Sequence, residues 1–179
     1  MVVQIKSVGV VGAGQMGGGI AHVCAMAGYD VHVHDVSSER LQTMQATISG
    51  NLARQVSSGK ATDAERDQAL SRIKLAEDMS ALAGMDMVIE AATEDETVKR
   101  KIFQQLCPIL NPEAILATNT SSLSITRLAA ATDRAERFIG IHFMNPVPVM
   151  KLVELVRGLA TEDATFQTSR AFIDSLDKT

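Results

Sequence analysis

The stretch Ser7-Val-Gly-Val-Val-Gly-Ala-Gly-Gln-Met-Gly-Gly-Gly-Ile-Ala21 decides the fold of this chain. An apolar, β-branched run ends at Gly12, and small and apolar residues with helical spacing follow from about Gln15. Gly12, Gly14 and Gly17 therefore form G-x-G-x-x-G between a strand and a helix. In this motif the glycines allow, in order, a tight turn, close backbone approach to a pyrophosphate, and close helix–strand packing. The motif predicts a phosphate site at the N-terminus of that helix.

A second strand, Asp30-Val-His-Val-His-Asp35, ends in an acid 23 residues after Gly12. At this position a carboxylate accepts hydrogen bonds from the adenosine ribose of a dinucleotide. A carboxylate also repels a 2′-phosphate, and the residues that follow directly, 36–38, include no arginine. The spacing predicts NAD rather than NADP as the cofactor. The alternative is a glycine-rich turn in an ordinary α/β domain.

The composition of the whole chain excludes several classes of function. Its 179 residues suffice for one domain with a sizeable core, and 46% hydrophobic and 21% charged residues are ordinary for a soluble protein. A net charge of −4 without a basic run argues against a nucleic-acid partner. The sequence contains neither a membrane-length apolar stretch nor room for a signal peptide before the first strand. We therefore expect a cytoplasmic protein with no membrane partner.

The cysteines and two of the histidines lack the spacing of metal ligands. Cys24 and Cys107 lie in helical patterns without metal-ligand spacing, which predicts buried free thiols. His32 and His34 share one face of a strand, but no third ligand is evident. We therefore expect no metal site.

Strand and helix patterns alternate along the rest of the chain. Short apolar runs predict strands at 5–11, 31–35, 73–75, 86–90, 114–118, 137–143 and 151–156. Helical patterns occupy 15–27, a stretch from Ser37 or Ser38 to about 57, 62–72, 95–107, 124–131, and a segment from near 161. This order predicts an α/β fold with a doubly wound, Rossmann-type, mostly parallel sheet. The two helices within 38–72, here called the helical insertion, are more than a plain crossover needs.

Ligands of such sheets bind outside the carboxyl ends of the strands. Polar residues follow three later strands at that edge, within 91–94, 119–122 and 142–145. Among them, Ser121 lies in a turn where its hydroxyl can bond a substrate oxygen, although turn chemistry accounts for it equally well.

His142 and Glu154 form the most informative pair. They lie symmetrically about Pro148, so an antiparallel return of the chain around this proline sets them directly across the ladder. A carboxylate beside an imidazole raises its basicity and fixes its tautomer, as a general base requires. The alternative is a core histidine beside a surface acid.

Together, the glycine loop, Glu90-Ala-Ala-Thr-Glu94, Asn119-Thr-Ser-Ser122 and Gly140-Ile-His-Phe-Met-Asn-Pro-Val-Pro-Val-Met-Lys-Leu-Val-Glu154 resemble the L-3-hydroxyacyl-CoA dehydrogenase family. Its bacterial 3-hydroxybutyryl-CoA dehydrogenases are the most similar members, and the resemblance extends from about Lys6 to the last residue. It implies an oxidoreductase that interconverts L-3-hydroxyacyl-CoA and 3-ketoacyl-CoA by hydride transfer with NAD.

The resemblance also implies residue roles. His142 is the catalytic base, Glu154 orients it, Ser121 contacts the substrate oxygen, and Asn145 lies near nicotinamide and substrate. Cofactor contacts are implied for Gly12, Gly14, Gln15, Met16, Gly17, Asp35, Ala91, Glu94, Lys99, Ser121 and Asn145. Contacts with acyl-CoA are implied for Lys60, Lys99 and Ser121, with the helical insertion as a coenzyme A-binding arm. Asn51 replaces a serine that some members use there.

The resemblance further implies that residues 1–179 are the NAD-binding domain alone. Full-length members are homodimers with a second, helical domain that closes the substrate cleft, and we expect this chain to lack it. Three functions stay open. The chain is a hydroxyacyl-CoA dehydrogenase, a nucleotide-binding module without turnover on its own, or a related dehydrogenase of a free hydroxy acid.

Overall fold

The computed structural model describes residues 3–179, which form a seven-stranded sheet with helices on both faces. The strands are β1 (Ser7–Val11), β2 (Asp30–His34), β3 (Ile73–Ala76), β4 (Met87–Glu90), β5 (Ile115–Thr118), β6 (Phe138–Phe143) and β7 (Val153–Arg157). Their order across the sheet is β3-β2-β1-β4-β5-β6-β7. The first six strands are parallel, and β7 runs antiparallel to β6. The predicted doubly wound, mostly parallel sheet is confirmed.

Six α-helices connect or follow these strands. They are α1 (Gln15–Met26), α2 (Ser38–Ser57), α3 (Asp63–Arg72), α4 (Glu96–Leu106), α5 (Ile125–Ala129) and α6 (Asp163–Ser175). The Ser37 side chain caps α2, and Thr62 with Glu65 forms the expected capping box of α3. The predicted helical insertion is therefore the pair α2 and α3, which pack on α1 and on each other. No helix in the described range 3–179 combines the length and apolar character needed to cross a bilayer.

Alternate residues of the central strands belong to two hydrophobic clusters, one on each face of the sheet. In β4, Met87 and Ile89 join α1, α2 and α6, whereas Val88 joins α4 and α5. Successive side chains of a strand point to opposite faces, so a strand buried on both sides is apolar throughout. Because β1 to β6 run parallel, their carboxyl ends lie along one edge of this sheet.

Two predicted boundaries differ from the structure. β7 begins at Val153 rather than at 151, because the Lys151 carbonyl accepts the Thr179 amide instead of continuing the ladder with β6. The last helix begins at Asp163 rather than near Thr161, because the Thr161 hydroxyl donates to the Phe138 carbonyl and accepts from the Gly158 amide. Lys151 and Thr161 therefore make tertiary contacts that a local sequence pattern does not predict.

Candidate active site

The glycine loop after β1 forms a cradle with room for a phosphate. Gly12 has φ +107°, and a Cβ there would lie 2.6 Å from the Ala91 carbonyl oxygen. A Cβ on Gly17 would lie 1.8 Å from the Gly12 oxygen, so both positions exclude a side chain. A Cβ on Gly14 would meet nothing within 4 Å, and no side chain caps α1 at this residue. The first amides of α1 therefore face open space that suits a pyrophosphate.

A cavity of about 930 Å³ adjoins this cradle and extends between α1, α2 and the loop after β6. Gly14, Gln15 and Asn145 line it, and the cofactor contacts that the resemblance implied for these residues stay predictions. The loop lies directly on α1, because a Cβ on Gly19 would come within 2.8 Å of the Val147 Cβ. The small residues of α1 thus let the loop form a wall of the cavity.

Asp35 follows β2 and is 7% exposed. Its Oδ2 accepts the amide of Ala13 at 2.9 Å, and its Oδ1 accepts that of Ser37 at 2.9 Å. The carboxylate therefore ties the glycine loop to the end of β2, and its remaining lone pairs can accept ribose hydroxyls. Arg40 also lines the cavity, because the first turn of α2 brings it there. The prediction of NAD rested on residues 36–38, which do not include this arginine.

His142 and Glu154 lie directly across the ladder between β6 and β7, as predicted. The Nδ1 atom of His142 is 2.8 Å from Oε2 of Glu154. The histidine side chain is 19% exposed and the glutamate side chain 54%. A proton on Nδ1, donated to the carboxylate, leaves the Nε2 lone pair free to accept a proton.

Glu94 organises the turn that carries Ser121. Its Oε1 accepts the Thr120 hydroxyl at 2.5 Å, the Ser121 amide at 3.0 Å, and the Ser121 and Ser122 hydroxyls at 3.3 and 3.2 Å. Partial burial opposes ionisation, but the bonds from Thr120 and Ser121 and the charge of Lys99 outweigh it and lower the pKa of Glu94. The carboxylate is therefore ionised at neutral pH and holds the serine turn in place.

Lys99 on α4 forms a buried ion pair with Glu90. Its side chain is 1% exposed, and its Nζ donates to Oε2 of Glu90 at 2.7 Å and to the Asn119 carbonyl at 3.2 Å. Glu90 is itself fully buried and also accepts the Thr118 hydroxyl at 2.7 Å. The ammonium of Lys99 thus lies against Glu90 and Asn119, and the contacts with cofactor and acyl-CoA that the resemblance implied for Lys99 stay predictions.

The remaining residues with implied ligand contacts lie in different parts of the structure. Ala91 abuts Gly12, and Met16 is partly buried at the start of α1. Lys60 is exposed just beyond the end of α2 and does not line the cavity, whose α2 wall ends at Asn51. The proposed contacts of these residues with ligands stay predictions.

Histidines outside the site and the cysteines serve the fold. Each Nδ1 of His32 and His34 meets a backbone carbonyl, at 2.9 and 3.0 Å. Cys24 and Cys107 are free and buried, as predicted. Across residues 3–179, no three His, Cys, Asp or Glu side chains are grouped to hold a metal ion.

Two functional candidates escaped sequence reasoning. The Oδ1 atom of Asn119 accepts the Phe143 amide at 2.9 Å, directly beside His142. Lys178 is 8% exposed and donates to the carbonyls of Val147 and Met150, each at 2.7 Å, in the loop that lines the cavity. The sequence signal for Asn119 is that it begins a polar turn at the end of a strand. Lys178 follows a helix, and no local signal indicates that it is buried.

A doubly wound sheet with a phosphate cradle after β1 and an acid after β2 defines the class of dinucleotide-binding domains. Comparison with known proteins narrows this class. The profile of the family described as "3-hydroxyacyl-CoA dehydrogenase, NAD binding domain" matches residues 7–179. The chain belongs to this family, whose cofactor is NAD.

Similar proteins support the assignment. The chain is 64% identical to the 3-hydroxybutyryl-CoA dehydrogenase of Bradyrhizobium diazoefficiens over 178 residues, covering 99% of the chain and 61% of that relative. It is 46% identical to the enzyme of that name from Mycobacterium tuberculosis, covering 96% of the chain and 60% of the relative. The crystal structure of (S)-3-hydroxybutyryl-CoA dehydrogenase from Ralstonia eutropha superposes with a TM-score of 0.96 at 48% identity, covering 98% of the chain and 62% of that protein. The chain thus spans about three fifths of the length of these relatives.

Proposed function

We propose that the protein oxidises L-3-hydroxyacyl-CoA, and 3-hydroxybutyryl-CoA in particular, to the 3-ketoacyl-CoA with NAD. The 2.8 Å contact between His142 and Glu154 carries the proposal, since it leaves one oriented imidazole nitrogen at the edge of the sheet where we propose that the nicotinamide ring binds. The relatives from Bradyrhizobium diazoefficiens and Mycobacterium tuberculosis, both 3-hydroxybutyryl-CoA dehydrogenases, support the same reaction.

In this reaction His142 is the general base. As the C3–H bond breaks and its electron pair leaves, Nε2 of His142 accepts the 3-hydroxyl proton and the C3–O double bond forms. Bound NAD supplies the acceptor for that hydride. Ser121 holds the substrate oxygen, Asn145 borders the nicotinamide and the substrate, and Glu154 holds the imidazole in the reactive tautomer.

We further propose how coenzyme A binds, how the protein assembles and where it is located. Coenzyme A binds along the helical insertion of α2 and α3, where Lys60 contacts its phosphates. Joined to a helical dimerisation domain of the kind that full-length family members carry, the chain forms a homodimer, which size-exclusion chromatography with light scattering tests. Its location is cytoplasmic, which fractionation of the source cells tests.

The decisive experiment follows NADH absorbance with acetoacetyl-CoA, comparing the protein with His142→Gln. Loss of the base should lower the rate by about 10²–10⁴-fold, the usual contribution of general base catalysis. Equal rates in both proteins would reject His142 as the base. Competition by free coenzyme A distinguishes an acyl-CoA substrate from a free hydroxy acid, because only a coenzyme A site responds.

A second candidate function is cofactor binding without turnover by these 179 residues alone. The observation that favours it is the 61% coverage of the Bradyrhizobium relative. An open cleft admits water and positions the substrate poorly. Calorimetry that detects NAD binding, with no NADH consumed in the assay above, would favour this candidate.

A further inference from the structure

The ladder between β5 and β6 ends before the level of His142. Its last pair is Thr118 with Gly140, whereas β6 continues to Phe143. On its other side, β6 stays paired with β7 up to Phe143 and Val153. Beyond Thr118, the chain leaves the sheet for the turn that carries Ser121. The two proposed reacting groups therefore lie where their parallel strands separate.

Asn119 bridges this separation. Its side-chain Oδ1 accepts the Phe143 amide at 2.9 Å, replacing the bond that a longer β5 would supply. Asn119 comes two residues before Ser121, and Phe143 comes one residue after His142. One hydrogen bond thus ties the serine turn to the strand of the imidazole.

The backbone of Asn119 is itself held firmly. Its amide donates to the Glu90 carbonyl at 2.8 Å, and its carbonyl accepts from Nζ of Lys99 at 3.2 Å. Lys99 and Glu90 form an ion pair with side chains 1% and 0% exposed. Because a buried ion pair is costly to break, the backbone that carries the Asn119 side chain is rigid.

We propose that Asn119 is a positioning residue that sets the distance between the Ser121 hydroxyl and the His142 imidazole. The proposal rests on the proposed function, in which these two groups share one substrate oxygen. A displacement of about 1 Å in such an arrangement costs on the order of 10²-fold in rate, although neither group is changed chemically. Asn119 contacts neither substrate nor cofactor in this account and acts only through Phe143 and its own turn.

Three substitutions at Asn119 change the acceptor of the Phe143 amide to different degrees. Asn119→Ala removes the acceptor of the Phe143 amide, Asn119→Gln moves it by one methylene, and Asn119→Asp keeps an oxygen in place. Asp86→Ala is the matched control, since Oδ2 of Asp86 accepts the amides of Lys6 and Ser7 at 2.8 and 3.0 Å at the opposite edge of the sheet. It breaks the same kind of strand contact far from the site.

The first readout needs no turnover. In the 179-residue chain with NADH, NMR should show at least about tenfold faster exchange of the Phe143 amide in Asn119→Ala, as expected for about 1.4 kcal/mol of lost protection. The resonance of the His142 Nδ1 proton should shift in the same variant. Asp86→Ala should leave both signals as in the parent, and Asn119→Asp should restore them. An unshifted His142 signal in Asn119→Ala and Asn119→Gln would overturn the proposal.

The second readout is kinetic. Asn119→Ala should lower kcat for acetoacetyl-CoA by about tenfold or more, with KM for NADH within about twofold. Asn119→Asp should recover most of kcat, and Asp86→Ala should keep it. Equal kcat values for Asn119→Ala and Asp86→Ala would contradict a positioning role. Absence of turnover in the parent chain would count against the proposed function instead, and the NMR comparison would still decide on Asn119. If Asn119→Ala does not fold, Asn119→Gln replaces it.

Discussion

His142 faces Glu154 across an antiparallel pair of strands, with Nδ1 2.8 Å from Oε2. The register of two strands on one hairpin sets this contact. The glutamate side chain is 54% exposed, so water screens its charge, and orientation of the imidazole is the main effect of the contact.

Replacing Glu154 tests that orienting role. Glu154→Ala should lower kcat by about 10–100-fold, because an imidazole without its acceptor samples unproductive tautomers and rotamers. The dissociation constant for NADH should stay within about twofold, since Glu154 lies outside the proposed cofactor contacts. Stopped-flow kinetics and fluorescence titration give the two values. Glu113→Ala, which removes a surface partner of Arg137, is the control, and equal kcat for both variants would contradict the role.

Asp35 should determine cofactor choice. Asp35→Ser removes the proposed acceptor of the ribose hydroxyls and the observed acceptor of the Ala13 amide, so NADH should bind about tenfold or more weakly. NADPH should gain relative to NADH, because the repulsion of its 2′-phosphate disappears while Arg40 stays in the cavity wall. Fluorescence titration measures both constants. A second change, Arg40→Ala, should abolish the relative gain, and an unchanged preference in Asp35→Ser would refute the assignment.

Lys178 should stabilise the loop that lines the cavity. Lys178→Met leaves the carbonyls of Val147 and Met150 without their donor, and should lower the free energy of unfolding by about 1–3 kcal/mol. Urea denaturation measures the change. Lys151→Met is the matched control, since its side chain is 64% exposed and pairs with Asp177, and should cost under about 1 kcal/mol. Similar losses in both variants would show that burial of Lys178 contributes nothing.

His22 should make stability depend on pH. Its side chain is 2% exposed, and burial, with a smaller contribution from the charge of Lys178, lowers its pKa despite a hydrogen bond to Gln55. Below pH 6.5 the unfolded chain takes up a proton that the folded chain resists, so the unfolded state binds more protons and stability rises with pH. This contribution is complete above pH 6.5 and is lost as the pH falls towards the lowered value.

Urea midpoints between pH 8 and 5 for the parent and His22→Asn measure this effect. The difference between the two proteins should change in the acid half of the range, because asparagine does not titrate. Parallel midpoint curves at all pH values would exclude His22 as the source.

Much of the site follows from local patterns. The tight turn at Gly12 and the phosphate cradle at Gly14 depend on which backbone angles and close approaches a residue allows. The pairing of His142 with Glu154 followed from symmetry about Pro148, because register in a hairpin depends on the chain between the strands. For these features the interacting groups are near in sequence or belong to one motif.

Other features were decided by packing between distant segments. Lys99 carries no local sign that its ammonium is buried against Glu90, and Asn119 meets Phe143 across 24 residues of chain. Lys178 reaches Val147 only after α6 has returned to the loop, 31 residues away. The sequence by itself determined the strands, the helices, the G-x-G-x-x-G motif and the pairing of His142 with Glu154, since backbone geometry and side-chain periodicity act over a few residues. The tertiary structure alone decided which long polar side chains are buried and which groups they bind. The reason is that these groups come together only when the whole sheet and its helices have assembled.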